Sequence, residues 1–233
     1  MKSHLFSKIP GLAYGYSTRA DGSMLVQDPA AFKNRQTFFQ NLGIPLDRTA
    51  AIVGVHGTRV QQVPVSEARP LIFQQTDGIY TLDSSRTLTV TGADCFPVYV
   101  VDPYTRVTGL CHAGWRGVVA GILPELLTQM TKKLHCKAAD LRVVIGPGIR
   151  ACHFEVKMDV WSAFAEADRI KRDGKTFIDL PKKLLTQALE FGVAPDHIED
   201  TELCTVCDEQ YFSYRRDRPK QLQVQVAYLG WKL

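Results

Sequence analysis

GLCHAGWRG, residues 109–117, places a cysteine, a histidine, a tryptophan and an arginine within six residues, between two apolar segments. The preceding run, RVTGLCHAGW, has the composition of a strand. The following run, RGVVAGILPELLTQMTKKLH, carries apolar residues at 118, 119, 122, 123, 126, 127, 130 and 134, which is helical spacing. Lys132 and Lys133 fall near its C-terminal end, where the helix dipole favours cations. Pro124 lies inside the pattern and predicts a kink or a split. Strand, tight turn and helix meet at this corner, which is where α/β proteins build sites.

The same alternation extends through the chain. DPAAFKNRQTFFQNLG reads as a helix that Asp28 caps, Pro29 opens and Gly43 ends. AAIVGVHG, residues 50–57, is an apolar run ending at His56. TLTVTGADCFPVYVVD holds two β-branched strands around a break at Gly92-Ala93-Asp94-Cys95. LRVVIGPGI predicts a buried strand entering a Gly-Pro-Gly turn. EVKMDVWSAFAEA and LPKKLLTQALEFG predict helices, the second stopped at Gly192, and LQVQVAYLG closes the chain as a strand. No repeat, low-complexity segment or linker interrupts this order. The expected fold is therefore one α/β domain over residues 1–233, with a mixed β-sheet and flanking helices.

Composition narrows the function classes. With 45% hydrophobic and 22% charged residues, the 233-residue chain is an ordinary globular one rather than a disordered one. A net charge of +4 suits an anionic small substrate or a plain solvated surface. No basic block interleaved with aromatics points to nucleic acid, and no run approaches a membrane span. The N-terminal MKSHLFSKIPGLAYGYS lacks the apolar core of a secretory signal. The expected location is cytoplasmic, where the six cysteines stay reduced.

Three reactive side chains sit at the ends of apolar runs: His56 in VGVHG, Cys95 in GADCFPV and His112 in LCHAGWRG. Strand alternation sends Cys111 and His112 to opposite faces, so a site-facing His112 leaves Cys111 to the core. One thiolate and two imidazoles form a three-ligand set that zinc and copper accept, with a position left for water or substrate. Taken singly, each residue reads equally as an isolated core side chain. Arg116, at the presumptive helix start, suits an anion such as phosphate, or packs along Trp115 at the surface. Cys204-Thr-Val-Cys207 has metal or redox spacing, but no second CxxC accompanies it, and two reduced thiols on a folded loop is the plain expectation. Tyr211-Phe-Ser-Tyr-Arg-Arg216 sets aromatics beside arginines, as a base-stacking, anion-binding segment or as an aromatic strand with a basic edge.

Together, VGVHG, GADCFPV, LCHAGWRG, IGPGI and CTVC with FSYRR, in this order over Ile52 to Arg216, resemble the laccase-domain purine nucleoside phosphorylase family. That family is also known as the peptidoglycan editing factor or polyphenol oxidase family. The resemblance implies that His56, Cys95 and His112 bind a metal, zinc or copper. It implies phosphorolysis of adenosine, inosine and methylthioadenosine with phosphate as co-substrate, and adenosine deamination at the same site. It also implies a fold like that of a cysteine-dependent toxin deamidase. On this reading Arg116 and Arg59 are the candidate phosphate clamps, and Asp94 orients a ligand or acts as base. Two other activities stand beside it: an amidase of peptidoglycan precursor editing with Cys95 as nucleophile and His112 as base, and a copper-dependent polyphenol oxidase. The chain departs from the family pattern at Gly54, where glutamine is usual, at Arg150, where glycine is usual, and at Cys152-His153, where two cysteines are usual. The segment after Arg216 also lacks the usual Gly-Arg pair.

Overall fold

The computed structural model describes residues 1–65 and 69–232. Thirteen strands are present among the described residues: β1 (Leu12–Tyr16), β2 (Thr49–Val53), β3 (Val60–Gln62), β4 (Leu71–Gln74), β5 (Gly78–Thr81), β6 (Thr87–Gly92), β7 (Phe96–Val101), β8 (Thr108–Ala113), β9 (Arg142–Ile145), β10 (Arg169–Arg172), β11 (Lys175–Ile178), β12 (Ile198–Asp200) and β13 (Gln225–Trp231). The α-helices are α1 (Ala31–Asn41), α2 (Trp115–Ala120), α3 (Ile122–Leu134), α4 (Met158–Trp161), α5 (Leu180–Phe191) and α6 (Tyr214–Asp217).

The expected mixed α/β architecture is present, with the strands divided between two mixed sheets and a small hairpin. One sheet runs β1-β13-β6-β2-β4 and the other β12-β9-β7-β8-β5-β3, while β10 and β11 pair alone. Alternation along the central strands builds two cores from one sheet. Phe96, Val98 and Val100 of β7 and Cys111 of β8 pack with Leu123, Leu126 and Leu127 of α3 and Leu184 of α5. Tyr99, Val101 and Leu110 face the other way, onto Ala50, Leu88, Ala227 and Leu229 of the first sheet. The six-stranded sheet is thus buried on both sides, which explains why β7 and β8 read as continuous apolar runs.

This division positions the site. The chain passes from the first sheet to the second between β2 and β3, at His56, and again between β6 and β7, at Cys95. His112 lies near the end of β8, paired in register with Pro97, the second residue after Cys95. Cys111 is fully buried in the helix-side core, as alternation predicts.

The predicted long helix after Trp115 is split. Gly121 adopts φ 89° between α2 and α3, and Pro124 falls in the first turn of α3, where its missing N–H costs no helical bond. The helix expected over EVKMDVWSAFAEA shrinks to the four residues of α4. Hydrogen bonds from Val156 N to Thr176 O and from Ile178 N to Phe154 O hold the preceding residues extended against the β10–β11 hairpin. That hairpin, absent from the sequence reading, turns at Asp173 and Gly174, both at positive φ. The Asp28 side chain accepts from Ala30 N, and α1 begins one residue later.

Candidate metal centre

The two crossovers and the end of β8 bring His56, Cys95 and His112 together. One ligand atom from each lies within 4.8 Å of the others. The two imidazoles meet edge to face, with ring centroids 4.9 Å apart. His56 at φ 61° and Asp94 at φ 85° are in the left-handed region, so both crossovers turn sharply to present the ligands. Gly114 makes room for the cluster: a Cβ there would lie 2.7 Å from His56 Cδ2 and 3.0 Å from Cys95 Sγ. His112 is buried, Cys95 half-buried and His56 exposed, so the set opens to one side. A thiol and two imidazoles, with that open side, make a donor set that zinc or copper fits.

A residue missed by sequence reasoning holds this arrangement. Asp77, fully buried just before β5, hydrogen-bonds His112 Nδ1 at 3.1 Å. Its carboxylate also accepts from the backbone N–H groups of His56 and Gly57, each at 2.9 Å, and of Val55. One carboxylate therefore orients one ligand and clamps the loop that carries another. Gly54 belongs to the same design, because a Cβ at that position would lie 2.7 Å from Asp77 Oδ1 and 3.1 Å from His112 Nδ1. The only sequence signal was an acidic residue in QQTDGIY, at the entry to an apolar strand.

The electrostatics favour a metal-ready thiolate. Burial opposes ionisation of Cys95, but the His112 and His56 rings outweigh it and bring the thiol down to about 6. Burial likewise opposes the charged form of His112, yet Cys95 and Asp77 raise it to about 10. These opposite shifts favour a thiolate beside an imidazolium in the metal-free pair; a bound cation would take the place of the shared proton. In metal-free protein, alkylation of Cys95 by iodoacetamide is expected to rise through a midpoint near pH 6 and then level off. An unperturbed thiol would show a midpoint near 8.5. Peptide mass mapping checks this, and zinc should protect Cys95. Cys111, whose thiol burial pushes far up, stays unmodified.

The cluster lines a cavity of about 460 Å³, within the range of small-molecule sites. Trp115, Phe154, Tyr214 and Arg215 contribute to the same wall. Arg116 does not line it; its guanidinium lies over the Trp115 ring at 4.4 Å, on the exposed side. Arg59 is also exposed and outside the lining, and its backbone carbonyl accepts from Asp77 and Gly78. Asp94 does reach the cavity. Its carboxylate accepts from Thr205 Oγ1 at 2.6 Å and from the Arg215 backbone N–H at 2.7 Å, which ties the loop after Cys204 to the start of α6. The Tyr211–Arg216 segment is a loop leading into α6: Tyr211 and Phe212 are buried, and Tyr214 and Arg215 face the cavity.

The sequence and fold find close counterparts. The family model described as multi-copper polyphenol oxidoreductase laccase matches residues 8–226. The chain belongs to this family. Within the laccase family, the chain is 32% identical over 200 residues to purine nucleoside phosphorylase YlmD of Geobacillus stearothermophilus, covering 79% of this chain and 73% of that protein. It is 30% identical over 220 residues to purine nucleoside phosphorylase YlmD of Bacillus subtilis, covering 88% and 79% respectively. The crystal structure of the Geobacillus stearothermophilus YlmD superposes with a TM-score of 0.89 at 28% identity, covering 97% of this chain and 93% of that one. No helix among the described residues is long and apolar enough to cross a membrane.

Proposed function

We propose that this chain is a metal-dependent purine nucleoside phosphorylase, taking adenosine, inosine and methylthioadenosine with phosphate, and deaminating adenosine at the same site. The observation that carries this reading is the convergence of His56, Cys95 and His112 on the wall of a nucleoside-sized cavity, with Asp77 behind them. Relatives named purine nucleoside phosphorylase support it. His56, Cys95 and His112 would hold zinc or copper, which when bound supplies a Lewis acid that polarises an oxygen of water or substrate.

The chain's own residues supply the rest. Trp115, Phe154 and Tyr214 offer aromatic surface to a purine ring. Arg215 is the arginine that lines the cavity; one guanidinium nitrogen donates to His153 O and Glu155 O, and its remaining N–H groups take the phosphate-binding part in place of Arg116 or Arg59. Asp94 serves as a positioning residue, because its oxygens fix the backbone of Arg215 and the side chain of Thr205. In phosphorolysis a phosphate oxygen bonds to C1′ and the bond from C1′ to the base breaks. Its electron pair leaves with the base, which takes up the proton that the attacking hydrogen phosphate gives up, and the sugar 1-phosphate is released. Holding phosphate in line with C1′ beside a fixed positive charge is the protein's main contribution. Arg215→Ala is expected to raise KM for phosphate about tenfold, the loss of one charge-assisted contact. Arg116→Ala should leave it within about twofold, because that side chain points elsewhere. Initial rates against phosphate concentration decide between them.

One observation favours a second reading. Cys95, His112 and Asp77 form a chain of thiolate, imidazolium and carboxylate, which is also the constellation of a cysteine amidase with Cys95 as nucleophile and His112 as the base that has taken its proton. Chelation separates the two readings: amide hydrolysis would survive metal removal, and phosphorolysis would not.

A further inference from the structure

A second cluster of metal-ligating side chains lies outside the nucleoside cavity. Cys152 and His153 follow the turn after β9, and Cys204 and Cys207 flank the tight turn after β12. One ligand atom from each of the four falls within 4.8 Å of the others. Cys152 Sγ is 3.5 Å from Cys204 Sγ and 3.6 Å from Cys207 Sγ. His153 Nδ1 lies 3.2, 3.9 and 3.4 Å from the sulfurs of Cys152, Cys204 and Cys207.

Five of the six edges of the cluster are close to those of a tetrahedron around zinc, and the sixth lies within 4.8 Å. Ligands on tetrahedral zinc, at about 2.3 Å for sulfur and 2.0–2.1 Å for nitrogen, are separated by roughly 3.8 Å between sulfurs and roughly 3.6 Å between sulfur and nitrogen. The three sulfurs surround one imidazole nitrogen at 3.2–3.9 Å, and none of the three cysteines is in a disulfide. Supporting contacts resemble those of a structural metal site. Arg172 donates to Cys152 O and Arg215 to His153 O, which sets positive charge beside what would be a net-anionic cluster of three thiolates on one divalent ion.

We propose that Cys152, His153, Cys204 and Cys207 form a closed, structural zinc site, separate from the catalytic set. Four protein ligands leave no open position, so the site braces structure rather than catalyses. It fastens the turn after β9 to the turn after β12. Those turns carry two supports of the cavity wall, the Thr205 bond to Asp94 and the Arg215 bonds to His153 O and Glu155 O. The assignment does not depend on the nucleoside reading, since it rests on other residues.

Metal content of tag-free protein tests it. Cys95→Ser removes one ligand of the first centre, and this variant, purified from zinc-supplemented cells, should retain about one zinc per chain. Adding Cys207→Ser, at an exposed position, should remove that zinc. Adding His153→Cys instead should keep it, and a cobalt-loaded sample should then show stronger sulfur-to-metal charge-transfer absorption than the Cys95→Ser parent. Chelation of the Cys95→Ser protein should lower its melting temperature. A folded Cys95→Ser protein that carries no zinc and takes up no cobalt would overturn the proposal. An intact mass showing a disulfide among these three cysteines after non-oxidising purification would also overturn it. If Cys207→Ser fails to fold, the metal content and cobalt spectra of Cys95→Ser and of Cys95→Ser/His153→Cys still decide the question.

Discussion

Cys95→Ala is expected to abolish phosphorolysis, lowering kcat/KM by roughly 10³-fold, and to empty the catalytic metal centre while the protein stays folded. The size follows from the part assigned to the metal, whose charge stabilisation is worth several kcal/mol, or a factor of ten for each ~1.4 kcal/mol. Cys95 would be the one anionic ligand of the three, and its loss would leave two imidazoles, one of them exposed. The fold should tolerate the change because Cys95 is half-buried in a crossover and belongs to neither core. Metal analysis, far-ultraviolet circular dichroism and turnover of adenosine on the same sample check all three parts. A variant that keeps its activity after losing its metal would contradict the assignment.

Asp77→Asn is expected to weaken metal binding by 10- to 100-fold, the usual cost of losing a partner that orients a ligand. The side chain keeps its shape but loses its charge, and one end becomes an amide donor facing other donors: the N–H groups of Val55, His56 and Gly57 and the His112 ring. Both the His56 loop and the tautomer of His112 are then less well held. The wild-type carboxylate also has a defined acid dependence. Burial alone would raise its pKa, yet the bonds from His112, Gly57 and Val55 hold it below the ordinary 3.8. Its folded-state pKa is therefore depressed. The stability it contributes is fully present above 3.8 and is lost as pH falls through the lower native value. Competition with a chromophoric chelator measures the affinity. Unchanged affinity in Asp77→Asn would remove this residue from the site.

How much of this was legible in sequence depended on where the information resides. His56, Cys95 and His112 were legible because each ends an apolar run, and strand ends converge in α/β folds. Cys111 was assigned to the core by alternation alone, and it lies there. Asp77 was not legible, since its partners are backbone N–H groups about 20 residues upstream and a histidine 35 residues downstream. Arg116, expected at the helix start that follows a Gly-Trp turn, stacks on Trp115 and is not among the residues lining the cavity. FSYRR, whose aromatics beside arginines suit either base stacking with anion binding or an aromatic strand with a basic edge, supplies Tyr214 and Arg215 to the cavity wall. Cys204 and Cys207 looked like an isolated pair because their companions, Cys152 and His153, stand more than 50 residues upstream. The division of strands between two sheets likewise has no local signature. It emerges from which crossovers the long-range pairings permit.

The most direct test of the central claim is product analysis on purified, metal-replete protein incubated with adenosine in the presence and absence of phosphate, with a chelated sample alongside. Adenine and ribose 1-phosphate are expected only with phosphate and disappear on chelation. No release of base from any nucleoside by protein shown to hold metal at His56, Cys95 and His112 would contradict it, and would turn attention to Cys95 as a nucleophile.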